Sequence, residues 1–334
     1  MESRLQERCE LFDQNNNLLL KKYWARMDSI VAIASILFTD SGKLADIDEL
    51  EEAKAIIKDK FGIFSNTRSY LQLPLMSNMV ISGKKEEYID DVNDIYKKMV
   101  DGKLFHSEFE LLAAMVLYEE KDDVNVDEVI EKVKTVYKKM RSNHPILTDR
   151  CDMASATMLA LKGGDEDALL DEMEQCYDYI KPRLGVLSGE EAQTMAAILA
   201  IIDESVESKC SKAIEIIEEM RRRKMPIKHR MNSPIVGGLV AIDKPVNEIV
   251  DELEEIYRWL KGKKGFGAFN LGREGRVTYA MMLSLGHNAS SSNISASITK
   301  STLVTIAIVE IMVMMMIIIS SSYHSSSSSS SSSH

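Results

Sequence analysis

Few residues in the chain are of types that could do chemistry, and they are scattered. Six histidines stand at His106, His144, His229, His287, His324 and His334. His106, His144 and His229 each fall between a long amphipathic segment and the shorter apolar segment after it, so they could gather on one rim. Imidazoles gathered in that way could bind a metal or move protons. Neither a carboxylate nor a thiol stands at ligand spacing beside them, so they read as exposed turn histidines, and no metal or cofactor is expected. The four cysteines, Cys9, Cys151, Cys176 and Cys210, form no C-x-x-C pair. Cys176 and Cys210 occupy apolar positions of helical stripes, which predicts buried free thiols in a reducing compartment.

The most glycine-rich stretch is Gly262-Lys-Lys-Gly-Phe-Gly-Ala-Phe-Asn-Leu-Gly-Arg-Glu-Gly275. A phosphate-binding loop would need a preceding strand and a Gly-Lys-Ser/Thr ending, and neither is here. The expectation is an interhelix turn whose Phe266 and Phe269 plug the core. Its Gly-Phe-Gly turn is similar to turns of helical toroid enzymes such as the terpene cyclases and prenyltransferases. The chain lacks the DDxxD and DxDD carboxylate patterns of those enzymes. Charged residues near the starts of the apolar segments are Glu110, Arg150, Asp152, Glu190, Glu191, Arg273 and Arg276. Polar groups there are expected as caps. No catalytic residue is assigned. The candidates for an interaction site are Phe266, Phe269, Arg273, Arg276 and His144.

The elements that must position these residues are helices. Val126, Val129, Ile130, Val133, Val136, Tyr137 and Met140 form one helical stripe. The same steps return at Val246, Ile249, Val250, Leu253, Ile256, Tyr257 and Leu260, with related copies between them. Ile57, Tyr96, Tyr137, Tyr177, Ile217 and Tyr257 are spaced 39, 41, 40, 40 and 40 residues apart. The chain therefore reads as helical hairpins with a period of about 40 residues. The long helices, called A, alternate an apolar stripe with Glu, Asp and Lys. Each is followed by a shorter B helix: 107–119, 150–162, 189–203, 231–242 and 273–286. Capping boxes start two of them, Ser107 with Glu110 and Ser188 with Glu191. Residues 3–20 and 24–39 form the first pair, with Trp24 on its apolar face, and 46–60 with 69–82 the second. Seven pairs result.

The B helices are nearly uncharged at their centres and rich in Ala and Gly. A helix that is apolar all round is buried all round. The fold is thus expected to be all-α, an α/α superhelix or a closed α/α toroid, with residues 1–290 as a single domain. Residues 291–334 are expected to form an apolar helix and a disordered Ser-rich tail. Within the tail, Leu303 to Ile319 carries one charge, Glu310, and is at the short limit for a membrane span. It could tether the chain to a membrane or pack on the helical body. The formal net charge of −11 argues against nucleic acid as a partner. The N-terminus lacks the apolar run of a signal peptide, so a cytoplasmic location is expected.

Three stretches together resemble the bacterial family known as domain of unknown function 4003. They are Asn143-His-Pro-Ile-Leu-Thr148, Glu172-Met-Glu-Gln-Cys-Tyr177, and Lys264-Gly-Phe-Gly with Leu271-Gly-Arg-Glu. The resemblance covers about residues 5–290, departs from the family pattern at Val277-Thr-Tyr-Ala, and implies no activity. The expected function is a non-enzymatic scaffold with a protein partner, since repeat arrays present long surfaces. The alternative is an enzyme or small-ligand carrier with its site among the B helices at the centre of a closed ring.

Overall fold

The computed structural model describes residues 1–24, 26–60, 70–100, 108–148, 152–183, 189–227 and 232–291. Among the described residues there are fourteen helices and no strand. They are α1 (Ser3–Lys22), α2 (Asp28–Asp40), α3 (Ile47–Lys60), α4 (Gln72–Ser82), α5 (Lys85–Val100), α6 (Glu108–Glu119) and α7 (Val126–Asn143). The rest are α8 (Met153–Lys162), α9 (Glu166–Ile180), α10 (Gly189–Ile201), α11 (Val206–Arg222), α12 (Ser233–Val240), α13 (Val246–Leu260) and α14 (Gly272–Ser290). Each odd-numbered helix packs on the even-numbered helix that follows it. No helix among the described residues is long and apolar enough to cross a membrane. The expected apolar run 303–319, the boxes' Ser107 and Ser188, and Arg150, His106 and His229 lie outside the described residues.

The odd-numbered helices form an outer layer. Their starts are fixed by side chains that accept the free amides of the first turn. Asn125, Asp165 and Ser205 cap Glu128, Ala168 and Ser208 in this way. Basic residues collect in several last turns, Arg221 and Arg222 in α11 among them, where they face the negative end of the helix dipole. Neighbouring outer helices run parallel and staggered, the C-terminal part of one against the N-terminal part of the next. Lys98 meets Asp127 at 2.6 Å, Lys139 meets Asp167 at 2.6 Å, and Arg223 pairs with Asp251.

The even-numbered helices form the inner layer and are buried on nearly every side, α6 from Glu110 to Leu117 and α14 from Gly275 to Ala289. Several of their hydroxyls are satisfied within the helix: Ser35, Ser77 and Thr157 each donate to the carbonyl four residues back at 2.8 Å. Small residues set the helix spacing. A Cβ on Gly237 of α12 would stand 3.0 Å from Ile198 Cγ2 of α10. Pro74 lies in the first turn of α4, where its missing donor costs nothing.

Lysines close the C-terminal ends of the inner helices. Lys43 Nζ donates to the Ile81 carbonyl at 2.8 Å and Lys212 Nζ to the Ile242 carbonyl at 2.7 Å. Lys209, which replaces an apolar residue in the stripe of α11, is fully buried because it does the same for α10. Its Nζ donates to Ile202 O at 2.9 Å and pairs with Glu172. Removing one partner of a fully buried ion pair costs about 3–5 kcal/mol. Glu172 keeps about a third of its exposure, so Glu172→Ala is expected to cost about 2–3 kcal/mol in urea unfolding. Lys209→Met, which removes the charge itself, is expected to cost less.

The last pair, α13 and α14, packs against the first. α14 touches α1, α2 and α12. Lys263 pairs with Asp13 at 2.8 Å, Asn16 Nδ2 donates to Lys264 O at 2.9 Å, and the N-terminal amine pairs with Glu255. The Tyr279 hydroxyl donates to Ser29 O at 2.7 Å. Along this seam Phe12, Phe266 and Tyr279 form a buried aromatic cluster, with Phe266 5.9 Å from Phe12 and 5.6 Å from Tyr279. Two expectations fail on the outer surface. Trp24 is not on the apolar face of the first pair: it lies in the turn before α2 and is 79% exposed. Glu252, one of the charged residues that alternate with the apolar stripe of a long helix, turns inward instead of facing solvent. It accepts from Ser284 Oγ at 2.6 Å and Asn288 Nδ2 at 2.9 Å and pairs with Lys244.

Candidate functional site: the rim where inner helices start

The described residues of the turns from outer to inner helices lie at the end of the molecule where the inner helices begin. Large apolar side chains are exposed there. Trp24, Met27, Ile146 and Phe269 belong to these turns, and Leu18 lies one helical turn before the end of α1. Leu44 is exposed at the opposite end. A single exposed apolar residue is ordinary, whereas several on one face mark a contact surface.

The turn 261–271 is built to hold Phe269 outward. Phe266 is fully buried in the aromatic cluster and anchors the turn. Gly265 has φ +84°, a conformation that side-chain-bearing residues rarely adopt, and lets the chain reverse against Leu20. Leu271 N donates to Gly265 O at 3.0 Å and Gly272 N to Gly267 O at 2.9 Å. Arg276, buried, donates from Nη1 to Phe266 O at 2.7 Å. Asn270 Nδ2 donates to Asp28 Oδ2 at 2.6 Å, which ties the turn to the start of α2 and brings Phe269 toward Met27 and Trp24. The sequence expectation that both phenylalanines plug the core therefore holds for Phe266 and fails for Phe269, which is fully exposed.

Beneath the apolar rim lies a polar layer at the starts of the inner helices. Glu110, Asp152 and Glu191 are buried in or just before first turns, where the helix dipole favours negative charge. Gln193 Nε2 donates to Thr148 Oγ1 at 2.8 Å, and Asn232 Nδ2 to Pro226 O at 3.3 Å. Arg276 lies 5.3 Å from the Tyr257 ring centre, and Arg273 Nε donates to the Tyr257 hydroxyl at 3.4 Å. Burial alone would raise the Tyr257 phenol, but the two guanidinium groups outweigh it and pull its pKa below the usual value.

The sequence candidates divide into two groups. Phe266, Phe269, Arg273 and Arg276 lie together on the turn and first helical turns of the last pair. His144 stands apart, between α7 and α9. It also has the carboxylate that the sequence did not reveal: His144 Nε2 lies 2.7 Å from Glu174 Oε2, and its ring is 5.0 Å from that of Tyr177. Glu174 is on the next outer helix, so no local spacing announces it. Among the described residues, no group of three or more His, Cys, Asp or Glu side chains could hold a metal ion. Cys9, Cys176 and Cys210 are buried and free, and burial pushes the Cys9 thiol up to about 12. An open cavity of about 330 Å³ lies between α11 and α13, lined by Glu215, Glu218, Glu219, Arg222, Val246 and Asn247, and contains none of the candidates. Met27 and Ile146 escaped the sequence reading as surface candidates, and Trp24 was assigned to the core side. The signal for them was an apolar residue outside any helical stripe, in a stretch that must turn.

No solved structure matches the chain. The Uncharacterized protein YeaA of Bacillus subtilis (strain 168) is 24% identical over 253 residues, covering 72% of this chain and 75% of that protein. Residues 15–317 match the family described as Protein of unknown function (DUF4003), and the chain belongs to that family.

Proposed function

We propose that the fourteen helices close into an α/α ring of seven pairs, and that the ring is a non-catalytic scaffold that takes a protein partner on its inner-helix rim. The closure reading rests on the seam. Lys263 with Asp13 and Glu255 with the N-terminus set α13 against α1 in the same stagger that Arg223 and Asp251 set between α11 and α13. The scaffold reading rests on one observation: Trp24 and Met27 on one turn and Phe269 on another are exposed at that seam, where Asn270 and Asp28 join the two turns and buried anchors hold the second. Aromatic and Met side chains are favoured at interface centres, and a rigid presentation lowers the entropy cost of binding.

The test is a photoreactive phenylalanine analogue at position 269, at 24, and at 44 on the opposite end, introduced in the native host. Discrete protein adducts from 269 and 24, absent from 44, are expected. No adduct from the rim, or equal yields from all three positions, would sink the scaffold reading. A second reading, a small-ligand carrier or enzyme with a central site, draws on Glu110, Asp152, Glu191 and Arg276, which are all buried at the same end. It predicts that a charge-removing pair such as Asp152→Asn with Arg276→Gln abolishes a metabolite-induced thermal shift and leaves the rim adducts intact.

A further inference from the structure

The turns at the seam carry a charge opposite to that of the chain. The formal net charge is −11, yet residues 18–28, 221–227 and 261–276 together hold twelve Lys and Arg side chains against two carboxylates, Asp28 and Glu274. The structure brings these three stretches together. Asn270 bonds to Asp28, Arg273 Nη2 donates to Lys224 O at 3.2 Å, and a Cβ on Gly265 would stand 3.2 Å from Leu20 Cδ1. Some of the cations are neutralised by nearby carboxylates: Lys22 lies 3.8 Å from Glu51, Lys263 2.8 Å from Asp13, and Arg223 2.7 Å from Glu219. Lys21, Lys224, Lys261, Lys264 and Arg273 are exposed and have no carboxylate within 4 Å among the described residues. Favourable charge at a helix C-terminus accounts for Lys21, Lys224 and Lys261, which stand at or just past the ends of α1, α11 and α13. It does not account for Lys264, beyond the end of α13, or for Arg273, in the first turn of α14, where the helix dipole disfavours a cation. The opposite end has the reverse balance: residues 122–128, 165–167 and 203–207 include Asp and Glu and no Lys or Arg.

We propose that the rim's protein partner presents an acidic segment, which lies across the seam with its carboxylates on Lys21, Lys261, Lys264 and Arg273 and its apolar side chains against Trp24, Met27 and Phe269. The proposal rests on the scaffold reading above and names the chemistry of the partner. Exposed cations interleaved with exposed apolar tips match a segment in which Asp and Glu alternate with apolar residues, since charge complementarity fixes its register and the apolar contacts hold it. The polarity of the molecule adds direction. A negative segment is drawn to the seam and repelled from the acidic end, which raises the rate of productive encounter. A bilayer surface fits less well. Asp28 follows Met27 and is bonded to the residue after Phe269, so the three apolar tips cannot enter lipid without carrying a carboxylate with them. A protein segment can meet that carboxylate with a backbone amide.

The test reverses charges without touching the anchors of the turn. Lys21→Glu, Lys261→Glu and Lys264→Glu are combined in the full-length chain that carries the photoreactive residue at position 269 in the native host. The yield of protein adduct is expected to fall about tenfold or more. The partner peptides that carry the adduct are expected to have a net negative charge. The thermal midpoint of the variant is expected to stay within a few degrees of the parent's, since exposed substitutions change stability little. Should the triple variant melt early, Lys264→Glu alone takes its place, with a loss of about threefold expected. An undiminished yield, or adducted peptides that are neutral or basic, would overturn the proposal and leave the scaffold reading standing. Absence of any protein adduct from the parent removes both. As a second readout, the purified protein is mixed with phosphatidylglycerol vesicles at about 0.15 M salt. It is expected to stay in the supernatant, and pelleting with the vesicles would assign the seam to lipid and overturn the proposal.

Discussion

Gly286→Ala is expected to destabilise the protein by about 3–5 kcal/mol, the loss typical of breaking a buried ion pair. Gly286 lies in α14 where the Arg8 side chain crosses from α1. Arg8 Nε donates to Leu283 O at 3.0 Å, and its Nη2 pairs with Asp40 at the end of α2. A methyl group on Gly286 would overlap the guanidinium outright and stand 2.9 Å from Asp40 Oδ1. The arginine would have to leave, and three helices would lose their common link. The deficit should depend on pH. Burial raises the Asp40 pKa above the usual carboxylate value, and Arg8 opposes that shift. Without Arg8 the rise is larger. A raised carboxylate holds its proton more tightly folded than unfolded, so stability falls as pH climbs from the ordinary value through the raised one. The variant should therefore lose more at pH 7 than at pH 4. Guanidinium unfolding at both pH values checks this, with Gly262→Ala, which meets no atom within 4 Å, as the control expected to be near neutral.

Phe266→Ala is expected to cost about 3–5 kcal/mol, as for other fully buried phenylalanines. The ring is enclosed by Phe12 and Tyr279, so little can move in to fill the space. Unlike Gly286→Ala, this change should reach the surface. The Phe266 carbonyl accepts from Arg276, and its backbone carries Phe269. Loss of the anchor should loosen the turn, so that adduct yield at position 269 falls even where the protein remains folded. Phe266→Leu, which keeps most of the volume, should cost less and preserve the adduct. Urea midpoints with unchanged slopes would show that stability alone has changed. A Phe266→Ala variant as stable as wild type would mean that the cluster does not hold the seam.

What could be read from the sequence was whatever repeats. The stripe of Val129, Val133, Val136 and Met140 marks an outer helix because its apolar residues recur at helical spacing, and all four are buried. Inner helices such as Gly189–Ile201 announced themselves by having no polar face. Stops carrying a cap were close: the helix expected over 150–162 ends at Lys162, followed by Gly163 at φ +74°. What escaped were interactions between residues far apart in the chain. Glu174 beside His144, Glu252 beneath Ser284, and Asp40 opposite Arg8 obey no local period. Phe266 and Phe269 are three residues apart in one turn, and only the packing of α1 against α14 decides which is anchor and which is tip. The polar layer was legible as residue types at Glu110, Asp152, Glu191 and Arg276. Its assembly at one end follows from the common direction of the inner helices.

The seam has a consequence for how the molecule is made. Lys98 with Asp127, or Lys139 with Asp167, joins partners synthesised within seconds of each other. Asn16 with Lys264 and Ser29 with Tyr279 join residues that leave the ribosome about 250 apart. Until the last pair emerges, Phe12 of α1 lacks its aromatic neighbours Phe266 and Tyr279. Contacts of such long sequence separation form late, and exposed apolar faces in the interim favour association between chains. The nascent protein thus keeps the aromatic face of its first hairpin uncovered for most of its synthesis, and a chain that stalls before residue 260 would offer that hairpin to the last hairpin of a neighbour. Exchange of end hairpins between copies is the misassembly to look for when this protein is overproduced.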